Sequence, residues 1–166
     1  TYLIFFFERF NYIKIRISSF FDSSSGNYSQ AEKASEAIID GGFFGKGIGE
    51  GTLNSKIPEA HTDFIISVIS EEFGIIIILL IMLSFISFAY IIFKKIRDTN
   101  DDVFKMILIG LISLLLMQAF VHVGVNLRVL PTTGMTLPYL SYGGSSIISI
   151  SIISGIILNL TKRRVY

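Results

Sequence analysis

The chain of 166 residues is 51% hydrophobic and only 16% charged, whereas a soluble domain carries about 25% charged residues. Its apolar residues come in blocks long enough to cross a bilayer, which excludes an ordinary soluble domain and predicts an all-α, polytopic helical membrane protein. The net charge of +1 argues against nucleic acid as the main partner. The absence of cysteine excludes disulfides and thiol chemistry, and two histidines far apart in sequence do not predict a metal site.

The first third of the chain is predicted to be the end of a preceding span followed by a large extracytoplasmic loop. Residues 1–7 are apolar but too short to span. Residues 8–21 mix basic, aromatic and isoleucine side chains, which fits a helix lying at the membrane surface or, equally, a helix packed on other protein. Residues 41–51 (GGFFGKGIGEG) form a glycine-rich loop that lacks the Walker pattern, so nucleotide binding is not favoured. The loop as a whole is predicted to cover residues 8–61, with short helices within it.

Three full transmembrane helices follow in the predicted organisation. The first is longer than the hydrocarbon core, so its beginning must project from the core or face a polar cavity. The predicted spans are 62–93, 106–125 and 145–161; the segments 94–105 and 126–144 connect them, and 162–166 form the tail.

Basic residues predict the orientation of the spans. One cluster lies at 94–97 with Lys105, and the other at 162–164. An even number of spans separates the two clusters, so both lie on one side, which the positive-inside rule makes cytoplasmic. The segments 8–61 and 126–144 are therefore expected outside, and the C-terminus inside.

Asp63 is the first candidate for chemistry, because a carboxylate at the mouth of a span can act as a general base. The alternative is that Asp63 or Thr62 caps the following helix. Glu71 and Glu72 lie two helical turns further on, and one of them would share a face with Asp63 in a regular helix. Their alternative role is to orient the helix in the headgroup region.

Polar residues near the second span offer further candidates. Gln118 and His122 share one face of that span, where polar side chains more often bond neighbouring helices than perform chemistry. Arg128 would lie just outside the span, where it could bind phosphate or extend to lipid headgroups. Gly143 and Gly144 are interpreted as shaping the entry of the third span.

Several ungapped segments resemble, in order, the signature of the SEDS family (shape, elongation, division and sporulation proteins). The Gly49-Glu50-Gly51 triplet ahead of the acidic motif is more similar to the division members than to the elongation members. The matching segments are the glycine-rich 41–51, 58–64 (PEAHTDF), 71–74 (EEFG), 126–127 (NL), 130–138 (LPTTGMTLP) and 141–146 (SYGGSS). Family members have more than three spans, so the resemblance identifies this chain with their C-terminal part.

The resemblance implies a peptidoglycan glycosyltransferase of the bacterial cytoplasmic (inner) membrane, which polymerises lipid II into septal glycan strands with its active site facing the periplasm. Asp63 matches the family's essential residue and would be the general base. The leaving pyrophosphate would need positive charge, from side chains or from a divalent cation such as Mg²⁺ or Mn²⁺. Candidate substrate-binding residues are Lys46, Arg128, His61 and Glu59, and candidate supporting residues are Glu71, Glu72, Gly143, Gly144 and Ser145.

The same resemblance implies a class B penicillin-binding transpeptidase and other division proteins as partners, beside membrane lipids and lipid II. Two other functions stay open at this point. Polar residues at and inside spans would also serve a lipid II flippase. A chain with three spans would also fit an inactive remnant that is kept as a scaffold for the transpeptidase.

Overall fold

The computed structural model describes residues 26–57 and 59–162, and every element within them is a helix, which confirms the predicted all-α class. The predictions for residues 1–7 and 8–21, and for the basic residues 163 and 164, lie outside this described part. The helices are α1 (Gly26–Gly41), α2 (Leu53–Lys56), α3 (Ile65–Phe73), α4 (Ile75–Arg97), α5 (Asp102–Asn126) and α6 (Gly144–Thr161).

The first three helices form a small apolar cluster together with the end of α5. Ala31, Ala34 and Ala37 recur every three residues along α1 and are all buried, as expected for one face of a helix. They belong to one core cluster with Phe64 and Val68. Small side chains on α1 let its backbone approach α3 closely. α3 begins at Ile65, two residues after Asp63.

The predicted single helix over residues 62–93 is broken at Gly74, so this part of the prediction needs correction. Gly74 has φ 82° and ψ 174° and separates α3 from α4. The backbone N–H of Ile75 donates to the carbonyl of Gly42 at 3.0 Å. A Cβ on Gly74 would lie 2.1 Å from the Phe43 carbonyl oxygen. Both the positive φ and the missing side chain are therefore required here.

Within the described residues, three helices are long and apolar enough to cross a membrane: α4, α5 and α6. α5 packs against both α4 and α6. α5 begins at Asp102, whereas the sequence predicts that the second span begins at residue 106. The earlier start has a local cause, because the Asp101 carboxylate caps α5 by accepting from the N–H groups of Val103 and Phe104. Buried side chains of all three helices share one core cluster.

The connection between α5 and α6 is not a simple outer loop, because part of it folds back alongside the spans. Gln118 lies eight residues, about 12 Å of helix, before the end of α5, and its Nε2 donates to the Thr136 carbonyl at 2.8 Å. Leu137 is buried in one cluster with Phe85 and Ala119. Irregular backbone at membrane depth must be covered by protein, and these contacts provide that cover.

Candidate active site

Asp63 lies in a tight turn at the end of the candidate spans where α4 begins and α5 ends. The N–H groups of Thr62 and Asp63 both donate to the Glu59 carbonyl at 3.1 Å. The N-cap position of α3 is Phe64, whose side chain makes no capping hydrogen bond. Its side chain is half-buried, and Oδ2 lies 3.6 Å from the position that a Cβ on Gly134 would take.

Three consecutive carbonyl groups of this turn, from His61 to Asp63, accept hydrogen bonds from the C-terminal half of the described chain. Two of the donors belong to the connection between α5 and α6, and one belongs to the last residue of α5. The pairs are Tyr142 N–H with His61 at 3.0 Å, Ser141 Oγ with Thr62 at 2.7 Å, and Asn126 Nδ2 with Asp63 at 3.0 Å. The backbone under the carboxylate is thus fixed by residues about 60 to 80 positions away.

Asn126 is the centre of this arrangement, and its side chain is fully buried. Besides the Asp63 carbonyl, Nδ2 donates to the His122 carbonyl at 2.8 Å. Its Oδ1 accepts from Ser67 Oγ at 2.7 Å and from the Ser67 N–H at 3.3 Å. The amide therefore uses both of its donors and both acceptor positions, and it joins α3, α5 and the Asp63 turn.

His122 lies directly under this turn and is 1% exposed. Neither ring nitrogen has a hydrogen-bond partner within the described residues, although the Thr62 backbone lies close enough to interact with the ring. Gln118, on the same helix face, bonds Thr136 as expected for a polar residue inside a span. Gln118 thus bonds a neighbouring segment, while the His122 ring lies against the Thr62 backbone.

Glu71 holds the glycine-rich loop and is almost fully buried. Its Oε1 accepts from Lys46 Nζ and the Thr52 N–H, both at 3.0 Å, and from Thr52 Oγ1 at 3.1 Å. Its Oε2 accepts from the Leu53 N–H at 2.9 Å. Burial raises the pKa of Glu71, but the hydrogen bonds from Thr52, Leu53 and Lys46 outweigh it and lower the pKa to about 2.

Lys46 lies between two carboxylates, with Nζ 3.0 Å from Glu71 Oε1 and 3.2 Å from Asp40 Oδ2. Hydrogen bonds to Glu71 and Asp40 raise the pKa of Lys46 above its usual 10.5. A phosphate group would have to compete with both carboxylates for this cation. The structure thus gives Lys46 a role in holding the loop, beside the predicted contact with substrate.

Arg128 lies two residues beyond the end of α5 and is half-buried. Its φ of 57° is in the left-handed region, which a non-glycine residue occupies at an energetic cost. Its Nη1 lies 3.8 Å from Glu32 Oε1, a longer contact than either of the Lys46 ion pairs. Arg128 comes two residues after Asn126, whose side chain donates to the Asp63 carbonyl.

The remaining predicted site residues are exposed or half-buried and lie in the Asp63 turn, beside the glycine-rich loop and at the start of α6. Glu59 and His61 are exposed and contribute backbone carbonyls to the turn. Gly143 and Gly144 form the N-cap and first residue of α6. Glu72 is half-buried, and its carbonyl accepts from the Gly47 N–H at 3.0 Å. Ser145 is exposed, and its carbonyl accepts from Ser149 Oγ at 3.0 Å.

Sequence reasoning missed Asn126, Ser67, Ser141 and Gly134 as parts of the site. Three of them lie in the matching C-terminal segments, but nothing in their spacing indicates that they contact the Asp63 turn. A detectable signal was the position of Asn126, an uncharged polar residue directly after a long apolar run. Such a residue needs buried hydrogen-bond partners wherever the helix end is covered by protein.

The described residues contain no group of three or more histidine or acidic side chains arranged to hold a metal ion. The groups that bind the Asp63 turn are instead hydrogen-bond donors: a backbone N–H, a side-chain amide and a hydroxyl. A divalent cation that accompanies the substrate's phosphates would thus find no preformed protein cage in residues 26–57 and 59–162. Its involvement stays a prediction.

The whole chain, residues 1–166, matches the family profile described as "Cell cycle protein", the FtsW/RodA/SpoVE family. A protein named "Probable peptidoglycan glycosyltransferase FtsW" from Caulobacter vibrioides is 38% identical over 159 residues, which cover 93% of this chain and 40% of the relative. Proteins of the same name are 36% identical in Enterococcus hirae, with 97% of this chain and 41% of the relative covered, and 38% identical in Bacillus subtilis, with 75% and 31% covered.

A solved structure is also similar, with a TM-score of 0.69 and 27% sequence identity. The similarity covers 90% of this chain and 41% of the other, in a study titled "Structural coordination of polymerization and crosslinking by a peptidoglycan synthase complex". This chain spans about 40% of the length of the first relatives it matches. The predicted family resemblance is confirmed: the chain belongs to the FtsW/RodA/SpoVE family of cell cycle proteins.

Proposed function

We propose that this chain supplies the catalytic end of a peptidoglycan glycosyltransferase that polymerises lipid II during cell division. The observation that carries the proposal is the Asp63 turn, whose three successive carbonyls are fixed from α5 and from the connection that follows it. Such anchoring holds a half-buried carboxylate in one position, which a general base requires. The names of the relatives favour polymerisation over flipping and over a scaffold role.

In the proposed reaction, Asp63 accepts the proton of a hydroxyl group on the acceptor sugar as the hydroxyl oxygen attacks the donor's anomeric carbon. A carbon–oxygen bond forms between the two sugars. The bond from the anomeric carbon to the pyrophosphate breaks, and its electron pair leaves with undecaprenyl pyrophosphate. Direct displacement converts the α linkage of the donor into a β linkage. The proton then passes from Asp63 to water.

Arg128 is our principal candidate for stabilising the charge that develops on the pyrophosphate. Lys46, the other candidate cation, is held by two carboxylates at about 3 Å. A guanidinium group can bind two phosphate oxygens at once. The strained backbone of Arg128 also fits a residue that is kept in place for function.

An apolar groove of about 460 Å³ lies between α4 and the connection that backs Asp63, and Phe85, Phe88, Tyr139 and Leu140 are among the residues that line it. Its position on a candidate span suits part of the isoprenoid tail of a lipid-linked sugar. The sugar and the pyrophosphate would then lie at the mouth of the helices, beside Asp63. This supports a substrate that is half lipid and half carbohydrate.

We further propose that the chain lies in the bacterial inner membrane with the Asp63 turn on the periplasmic side and the C-terminus in the cytoplasm. Five of the nine described basic residues (Lys94, Lys95, Arg97, Lys105 and Lys162) lie at the ends of the candidate spans opposite Asp63, which supports this orientation. The similar solved structure belongs to a peptidoglycan synthase complex by its title. A class B penicillin-binding transpeptidase is therefore the proposed partner.

The test is lipid II polymerisation in liposomes that hold this chain together with the N-terminal part of a relative. Asp63→Asn should abolish glycan strands, whereas Asp98→Asn, the same change in an exposed residue at the opposite end, should leave them. Product from both variants would remove Asp63 from the mechanism. Loss of lipid II translocation without loss of polymerisation would instead favour a flippase.

A further inference from the structure

The glycine-rich loop exposes a compact group of large apolar side chains. Phe43 is 73% exposed, Phe44 85% and Ile48 79%; we call these three the aromatic loop. Ile39, at the end of α1, is 77% exposed and extends the same region of sequence. Neighbouring apolar side chains left this open to solvent usually mark a surface that something covers.

One hydrogen bond and one close backbone contact fix the height of the aromatic loop relative to the first candidate span. Ile75 is the first residue of α4, and its N–H donates to the carbonyl of Gly42, the residue before Phe43. The backbones of Phe43 and Gly74 are in contact, since a Cβ on Gly74 would lie 2.1 Å from the Phe43 carbonyl oxygen. Phe43 and Phe44 therefore lie at the level where α4 begins.

The aromatic loop is also continuous with the surface of α4 that lipid must cover. Ile76, Leu79 and Leu80, in the first two turns of that helix, are exposed, and a membrane-spanning helix presents such residues to acyl chains. The only charged residue between Gly41 and Gly49 is Lys46, whose ammonium group is paired with Asp40 and Glu71. Because the one charged side chain within this loop is paired, the apolar side chains of the loop can enter the interface at little cost.

We propose that the aromatic loop inserts into the bilayer surface at the mouth of α4. Aromatic and aliphatic side chains favour this depth, where an apolar body meets the headgroup region. The loop is fastened to α3 by the N–H groups of Lys46 and Gly47, which donate to the carbonyls of Glu71 and Glu72 at 2.8 and 3.0 Å. Insertion would thus fix the height of α3, and with it the Asp63 turn, above the bilayer. This proposal does not depend on glycosyl transfer.

The chain contains no tryptophan, so one substitution provides a single indole reporter. Phe44→Trp would be reconstituted in vesicles of phosphatidylethanolamine and phosphatidylglycerol, with and without lipids brominated near the headgroup end of their acyl chains. We expect the brominated lipids to quench most of its fluorescence, and iodide on both sides of the membrane to quench little. Phe43→Trp, made separately, repeats the measurement if the first variant folds poorly.

Two control variants calibrate the two quenchers. Tyr90→Trp places the indole on the exposed face of α4 and should respond to brominated lipid alone. Lys33→Trp places it on the exposed face of α1, outside the candidate spans, and should respond to iodide alone. If the aromatic-loop variants follow Lys33→Trp, the loop is in water and the proposal is wrong. If they are protected from both quenchers, protein covers the loop, and the proposal is equally wrong.

Discussion

Glu71 stabilises the glycine-rich loop through charge rather than through packing. Its carboxylate accepts four hydrogen bonds from three residues and is almost completely buried. Glu71→Gln replaces a charged acceptor by an amide that presents two donors, so several of these groups lose their partner. We expect the free energy of unfolding to fall by about 2–3 kcal/mol.

Thermal unfolding in detergent, followed by circular dichroism, measures this loss. Glu72→Gln is the matched control, because it removes the same charge from the adjacent, less buried residue. The control should change the melting temperature much less than Glu71→Gln does. If the two substitutions lowered the melting temperature equally, the buried hydrogen bonds of Glu71 would contribute no more to stability than the interactions of Glu72 do.

The low pKa of Glu71 makes the same interaction dependent on pH. Because folding lowers the pKa from 4.5 to about 2, the ionised form stabilises the folded state by about 3 kcal/mol. This contribution is complete above the unfolded value and is lost as the pH falls towards the folded value. The difference in stability between the parent and Glu71→Gln should therefore be constant above about pH 5 and shrink between about pH 4.5 and 2. A difference that does not change over that range would contradict the prediction.

Asn126 is expected to act on catalysis through the position of the Asp63 turn. Asn126→Ala leaves the Asp63 side chain in the sequence but removes four hydrogen bonds to α3, α5 and the turn. A displacement of about 1 Å in a catalytic group can lower the rate about 100-fold. In the polymerisation assay we expect kcat to fall by about that factor, with a smaller change in KM.

Asn159→Ala is the control for this substitution, because it makes the same change in an exposed residue of α6 at the opposite end of the helices. It should retain the parent's kcat. A parallel loss of melting temperature and activity in Asn126→Ala would indicate a general folding defect. A loss of kcat in protein that melts near the parent's temperature would support the positioning role.

The break at Gly74 lets the glycine-rich loop contact the beginning of α4. Gly74→Ala would place a Cβ 2.1 Å from the Phe43 carbonyl oxygen, in backbone that side chains rarely adopt. We expect the loop to detach from α4 and residues 42–51 to become sensitive to protease. Gly110→Ala, on an open face of α5, should leave proteolysis unchanged, and its melting temperature should be at least that of the parent. Equal protease resistance in both variants would contradict this role of Gly74.

The limits of sequence reasoning follow from what each element depends on. The second and third spans are visible as apolar runs, and the structure places α5 and α6 within a few residues of the predicted bounds. The break at Gly74 is invisible to hydropathy, because one glycine inside an apolar stretch changes neither composition nor length. Asp63 could be found from its motif, whereas the bonds from Asn126 and Ser141 join residues more than 60 positions apart.

At the scale of the whole molecule, the candidate spans are far from a closed bundle. Only 17%, 28% and 11% of the most apolar stretch of α4, α5 and α6 is buried by the described protein. α5 packs against both neighbours, so the rest of each helix faces lipid or further protein. The relatives are more than twice as long as the part that this chain matches. We infer that the additional residues of those relatives cover these exposed faces of the helices.

This inference predicts that polymerisation depends on the part of the family protein that this chain does not match. The 166-residue chain alone in liposomes should produce no glycan strands from lipid II. Adding the N-terminal part of the Caulobacter vibrioides relative as a separate polypeptide should restore them, because helix association in membranes can rebuild a bundle from its parts. Product measured on gels, together with co-purification of the two parts, tests the prediction. Strands made by this chain alone would show that α4, α5 and α6 already form a sufficient site. Co-purified halves that make no product would show that completing the bundle does not restore the activity.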